Sequence, residues 1–187
     1  MAQMLINHRA TADGTFTTTG ATNWNDTHDI ASFKAPYGSL SDSTIQTIAD
    51  IAVAYPITFD TNEELYLVTH STSVNPSRIT LDEAGTYFIS YTAVFDITGG
   101  ANDQLEIWLR VDGTNVPRSN SVFSISAAVT EGVGACTYIY TFTAGQYFEL
   151  VMRGDTTAVQ LLSRAAGTTP TRPAIPSIIC TVNRISF

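Results

Sequence analysis

The side chains that carry most enzyme chemistry are few and scattered in this chain. Its three histidines are His8, His28 and His70, and its two cysteines are Cys136 and Cys180. No two histidines share a metal-ligand spacing, and neither a Gly-x-Ser-x-Gly turn nor a glycine-rich phosphate loop occurs. Glu63-Glu64 and Asp82-Glu83 are adjacent acids. On an extended chain neighbours point to opposite faces, so neither pair makes the facing couple a glycosidase needs. Both read as turn or edge charges, and His70 reads as a turn or strand-end residue. Asp96, Asn102 and Asp103 flank Gly99-Gly100 and offer the oxygen ligands that Ca²⁺ takes, with a solvated acidic loop as the plainer alternative. Cys136 and Cys180 lie in separate strand-like runs and read as small buried hydrophobes. A bridge between them depends on the strand order. The expectation is a protein with no catalytic residue, no cofactor and no assigned metal ligand.

Composition narrows the partners. The chain has 187 residues, a net charge of −8, 44% hydrophobic and only 14% charged residues. That length makes about one domain with a core of its own. Thr and Ser wet the surface in place of charge, and Thr favours pleated structure. A single Lys, Lys34, and scattered Arg speak against nucleic acid, which needs clustered cations. No run approaches ~18 apolar residues, so no membrane-spanning helix is expected. Met1 to Ile6 carry neither a basic region nor a long apolar stretch, so no secretory leader is expected. The Gly, Pro and Thr content leaves no heptad pattern.

Two regions differ. Residues 1–34 are polar and read as an extended N-terminal arm. Residues 35–187 read as an all-β, antiparallel sandwich. Leu65–Val68 is a short strand, and Tyr87–Phe95 is a longer one opened by Gly85. Leu105, Ile107, Leu109 and Val111 alternate with Glu106, Trp108 and Arg110, which is period two on a half-exposed sheet. Asp112-Gly113 marks a turn. A weaker strand spans 121–129. Ala135–Phe142 and Tyr147–Arg153 flank the turn at Ala144-Gly145, a loop with three prolines covers 164–176, and Ser177–Ile185 is the last strand. Residues 45–51 suit a short helix or a strand equally. Two runs are apolar on both faces: Tyr87, Ile89, Tyr91, Ala93 and Phe95 oppose Phe88 and Val94, and Tyr138, Tyr140 and Phe142 oppose Ile139. Such strands need covering twice. With few helices available, a second copy of the chain is the simplest cover. The expected contact residues are Tyr87, Tyr91, Tyr138, Tyr140, Phe142 and Trp108, the last turned away from the core that Ile107 and Leu109 enter. Sugar stacking is a lesser alternative for Trp108.

The order of these motifs resembles a known family. Ile79, then Gly85-Thr86-Tyr87-Phe88-Ile89-Ser90-Tyr91, resembles the core signature of the tumour necrosis factor (TNF) and complement globular-head jelly roll, with Ile where aromatics are usual at 79 and 89. Leu105–Val111 with Asp112-Gly113, and Thr141 to Leu150 with Gln146 in place of a common Asp, are similar to later segments of that family. The resemblance covers roughly residues 50–187 and implies a TNF-like jelly roll that forms homotrimers. In the arm, Asn23-Trp24-Asn25-Asp26-Thr27-His28 resembles a stretch near the N-terminus of tailed-phage virion proteins. Trp24, Asn25 and His28 are therefore the expected anchoring residues. Together these imply a virion protein assembled in the host cytoplasm, either a capsid decoration (cement) or head-fibre protein bound to the major capsid protein or another virion protein. The alternative is a tail fibre or receptor-binding protein that recognises a host surface glycan.

Overall fold

The computed structural model describes residues 35–99, 102–126 and 131–186. Every regular element named in them is a β-strand. In chain order these are β1 (Tyr37–Asp42), β2 (Gln46–Thr47), β3 (Tyr55–Pro56), β4 (Thr61–Tyr66), β5 (Val68–His70), β6 (Ile79–Leu81), β7 (Gly85–Ile97) and β8 (Asp103–Val111). They continue with β9 (Thr114–Asn115), β10 (Ser121–Ile125), β11 (Glu131–Phe142), β12 (Tyr147–Gly154), β13 (Val159–Leu161), β14 (Gly167–Thr168), β15 (Thr171–Arg172) and β16 (Ile178–Ser186).

The pairing is nested. β1 pairs with β16, β6 with β12, β7 with β11 and β8 with β10, all antiparallel. The chain thus behaves as one long ribbon that doubles back after β8 and rolls up. Lateral bonds between β7 and β16, and between β8 and β12, close it into two sheets. The first sheet runs β11-β7-β16-β1-β4, and β13 extends the row beside β7 and carries β2. The second runs β10-β8-β12-β6-β5, with β3 on β12 and β9 on β8. This double-sheet antiparallel arrangement is a jelly roll. The segment expected to be either helix or strand at 45–51 contains only the two-residue β2. One chain segment passes from sheet to sheet at a corner: β4 belongs to the first sheet and β5 to the second, and Leu67 between them takes a left-handed φ of 52°. The turn expected at Asp112-Gly113 is present, with φ 47° and 78°.

The core lies between the sheets. Tyr87, Ile89, Tyr91, Ala93 and Phe95 of β7 face Leu105, Ile107, Leu109 and Val111 of β8 and Phe148, Leu150 and Met152 of β12, all buried. Each such large apolar side chain contributes about 1.5–3 kcal/mol on burial. On the inner side of β11 the residues grow along the strand, from Gly132, Gly134 and Cys136 to Tyr138, Tyr140 and Phe142. A Cβ on Gly132 would lie 2.6 Å from the Phe95 ring, and one on Gly134 would lie 2.7 Å from the Phe123 ring. Those rings sit against each other with centroids 5.6 Å apart. The sandwich therefore narrows at the glycine end and widens at the tyrosine end. Gly134→Val is expected to destabilise the fold by about 1–3 kcal/mol through overpacking against Phe123, read as a lowered denaturation midpoint.

Candidate functional site

The tyrosine set expected at a subunit contact divides. Tyr87, Tyr91 and Phe142 are buried inside the single chain, so they cannot meet a neighbour. The physical reason is the pleat: they share the face of Ile89 and Phe95, which the second sheet covers. Tyr87 donates its hydroxyl to the Glu83 carbonyl at 2.8 Å, and its ring meets Phe142 edge-on. Tyr91 and Tyr138 lie with ring centroids 6.1 Å apart. Burial pushes both phenols well above their ordinary value. Tyr138 and Tyr140 are half-buried along the outer edge of the first sheet, packed on the core. Trp108 is on the outside of the second sheet, where its indole N–H donates to Asn115 Oδ1 at 2.8 Å. The six residues therefore do not form one surface. Trp24, Asn25 and His28 lie outside the described residues.

The other sequence candidates are also placed apart. Asp96 is on the outward side of β7, and Asp103 is on the inward side of β8 beside Leu105, so the two do not converge on one ion. His70 ends β5 in a closed setting. Its Nδ1 is 2.6 Å from Asn62 Oδ1 and its Nε2 is 3.0 Å from the Pro76 carbonyl oxygen. Glu63 accepts from Ser41 and Asp82 from Thr69, while Glu83 pairs with Arg184. Cys136 and Cys180 stand opposite Tyr91 from either side, so β7 separates them. Two strand spacings come to roughly 10 Å, beyond the reach of a disulfide. Both thiols are free, and burial pushes Cys180 up to about 12.

The outer faces of the two sheets differ in charge. On the second sheet, Glu149 is only 4% exposed. Arg110 Nη2 meets its Oε2 at 2.8 Å, and Ser77 Oγ donates to its Oε1 at 2.7 Å. Arg78 stacks 4.4 Å above the Tyr147 ring, and Arg153 pairs with Glu106 at 2.9 Å. Alternation along β8 and β12 places Arg110 and Glu149 outward but does not reveal that they are register partners. Only the strand order makes them a buried pair.

The first sheet has a different outer face. Reading across β11, β7, β16 and β1, the register gives the row Val133–Val94, then Ala135–Thr92–Ile179–Ser41. Next come Thr137–Ser90–Thr181–Ser39, Ile139–Phe88–Asn183–Tyr37 and Thr141–Thr86–Ser186. None of these side chains carries charge at neutral pH. Val133 is 68% and Ile139 66% exposed. With ~3.4 Å per residue and ~4.8 Å between strands, the patch covers roughly 400 Å². It borders the edge where Val122 is exposed and Phe123, Tyr138 and Tyr140 are half-buried.

No family model matches the chain, and no curated protein matches it. Among solved structures it is similar to the crystal structure of murine APRIL, with a TM-score of 0.50 and 8% identity over 81% of this chain and 100% of that chain. At this identity the likeness is one of fold. The class is an all-β, antiparallel jelly roll of the TNF type.

Two outcomes follow from the buried groups. Glu149→Gln is expected to cost about 2–4 kcal/mol, because the Arg110 charge loses its partner in a largely closed setting, and chemical denaturation measures it. A thiol reagent at pH 8 is expected to label half-buried Cys136 in the native protein and to reach Cys180 only after denaturation, as counted by mass spectrometry.

Proposed function

We propose that the chain is a non-enzymatic structural protein of a tailed-phage particle. In this reading it is a homotrimeric capsid decoration (cement) or head-fibre protein, assembled in the host cytoplasm. Residues 1–34 dock it on the major capsid protein or another virion protein. The observation that carries the self-association is the charge-free middle of the outer face of β11, β7, β16 and β1, which the Glu131–Asp96 row borders at one end. In a chain of net charge −8, copies repel unless the contact excludes charge. This face does so, while the outside of the second sheet is occupied by ion pairs.

A ring is favoured over a two-fold pair because two unlike surfaces lie side by side. The flat charge-free face and the apolar edge of Phe123, Tyr138 and Tyr140 suit a contact of face on edge, and such heterologous contacts close into rings. The resemblance of residues 50–187 to TNF-like proteins supports three copies in the ring. The Asn23–His28 stretch supports the particle. Trp108 is held by Asn115 beside a row of ion pairs, and nothing there favours a glycan platform.

Light scattering at micromolar concentration is expected to give about 60 kDa, three times the 20.2 kDa chain. Ile139→Asp, which puts a carboxylate on the exposed face without touching the core, is expected to give the single-chain mass with unchanged circular dichroism. A wild-type mass near 20 kDa would overturn the trimer. Quantitative mass spectrometry of purified particles against the major capsid protein tests the role. Copies on the scale of the capsid lattice support decoration, a few per particle indicate a fibre, and absence sinks the virion reading.

A further inference from the structure

At the corner where the chain passes from β4 to β5, one buried ring faces more acceptors than its neutral form can serve. His70 ends β5 and is 9% exposed. Its Nδ1 lies 2.6 Å from Asn62 Oδ1 of β4, and its Nε2 lies 3.0 Å from the Pro76 carbonyl oxygen. The Pro76 oxygen can only accept, and it also takes the Phe59 N–H at 2.9 Å. Asn62 is oriented as well. Its Nδ2 donates to the His70 main-chain carbonyl at 3.4 Å, and turning the amide over would set two oxygens against each other. Both ring nitrogens therefore face oxygen acceptors. A neutral imidazole offers one N–H and one bare nitrogen, whereas the imidazolium offers two N–H donors.

The charged groups on the elements around the ring are engaged elsewhere. On β4, Glu63 accepts from Ser41, and Glu64 stands in register with Ser39 on the outer face. On β1, Leu40 stands opposite Asn62, and Asp42 accepts from Thr44. Asp60, beside Phe59, accepts from Ser43 and Thr61. On β5 itself Thr69 points the other way and donates to Asp82. On β6, Ile79 is the register partner of His70, and the Phe59 ring meets the imidazole edge-on at 6.0 Å. In the segment 71–78, Arg78 stacks on Tyr147, 3.9 Å from Glu149. Among the described residues no ion pair includes His70. We propose that His70 is a proton-operated tie across this corner. With its second proton the ring donates both to Asn62 on β4 and to Pro76 in the segment 71–78. Without it one of the two bonds is lost, and a bare nitrogen faces an oxygen. A group bonded in its protonated form gives stability that is present in mild acid and lost as pH rises through the histidine range. The tie reaches the second sheet, because Ser77, next to Pro76, donates to nearly closed Glu149. The inference does not rest on the trimer, since every contact named is within one chain.

Ring-nitrogen NMR of the full-length chain, followed from about pH 5 to about pH 8.5, reads the proton directly. The His70 signals are those absent from His70→Gln. Both of its nitrogens are expected to stay protonated at a pH where His8 and His28 have each lost a proton. Amide exchange reads the tie. The protection factor of the Phe59 N–H, which shares the Pro76 carbonyl, is expected to fall roughly tenfold when His70 loses its proton, the scale of one charge-assisted hydrogen bond. In His70→Gln, which takes up no proton, that step is expected to vanish. If His70→Gln fails to fold, Asn62→Ala removes one acceptor and is expected to bring the titration of the ring down to that of the other two histidines. A His70 ring that loses its proton together with His8 and His28, or a Phe59 protection factor unchanged across that loss, overturns the proposal. The molecular mass of each sample separates a change at the corner from a change of assembly.

Discussion

Everything in this fold depends on β7 being hydrogen-bonded along both edges. β11 occupies one edge from Gly85 to Asp96, and β16 followed by β13 occupies the other. A central strand of thirteen residues satisfies its backbone only through partners from far along the chain. Once those partners are in place, the pleat decides what each residue does. Odd positions from Tyr87 to Phe95 enter the core, and even positions from Thr86 to Val94 form the middle of the uncovered face. The core and the proposed contact are two sides of one strand, so a one-residue slip would exchange them.

The two outer faces show two ways of finishing a sheet with few charges. The second sheet spends its Arg and Glu there, tied in pairs around the nearly closed Glu149. Such a surface is solvated and specific but resists close apolar contact, because desolvating paired charges is costly. The first sheet uses Thr, Ser, Val and Ile. On it the hydroxyls of Thr86 and Thr141 lie 3.0 Å apart. The asymmetry gives the domain one side carrying ion pairs and one side whose middle is free of charge, the side proposed for association.

At the narrow end of the sandwich the same economy fails. Gly132 and Gly134 let the sheets close on Phe95 and Phe123, but the edges β10 and β11 separate there and leave a groove. Among the described residues, one carboxylate oxygen of Asp96 on the outward face and one of Asp103 on the inward face have no donor.

Much of the fold was legible in the residues. The all-β class, most principal strands, the turns at Asp112-Gly113 and Gly145 and the inward set of β8 follow from period-two alternation and glycine chemistry, which are local. That Tyr87–Phe95 carries apolar residues on both faces is also local. Which face receives the second sheet is not local. The sequence places Tyr91 and Val94 on opposite sides without saying which is inside, and only the packing of β8 and β12 made the tyrosines core and left Phe88, Val94 and Ile139 outward. The Arg110–Glu149 pair, the separation of Cys136 from Cys180 by β7, and the opposite facing of Asp96 and Asp103 depend on strand order. Strand order is set by contacts between residues tens of positions apart, for which alternation within one strand carries no information.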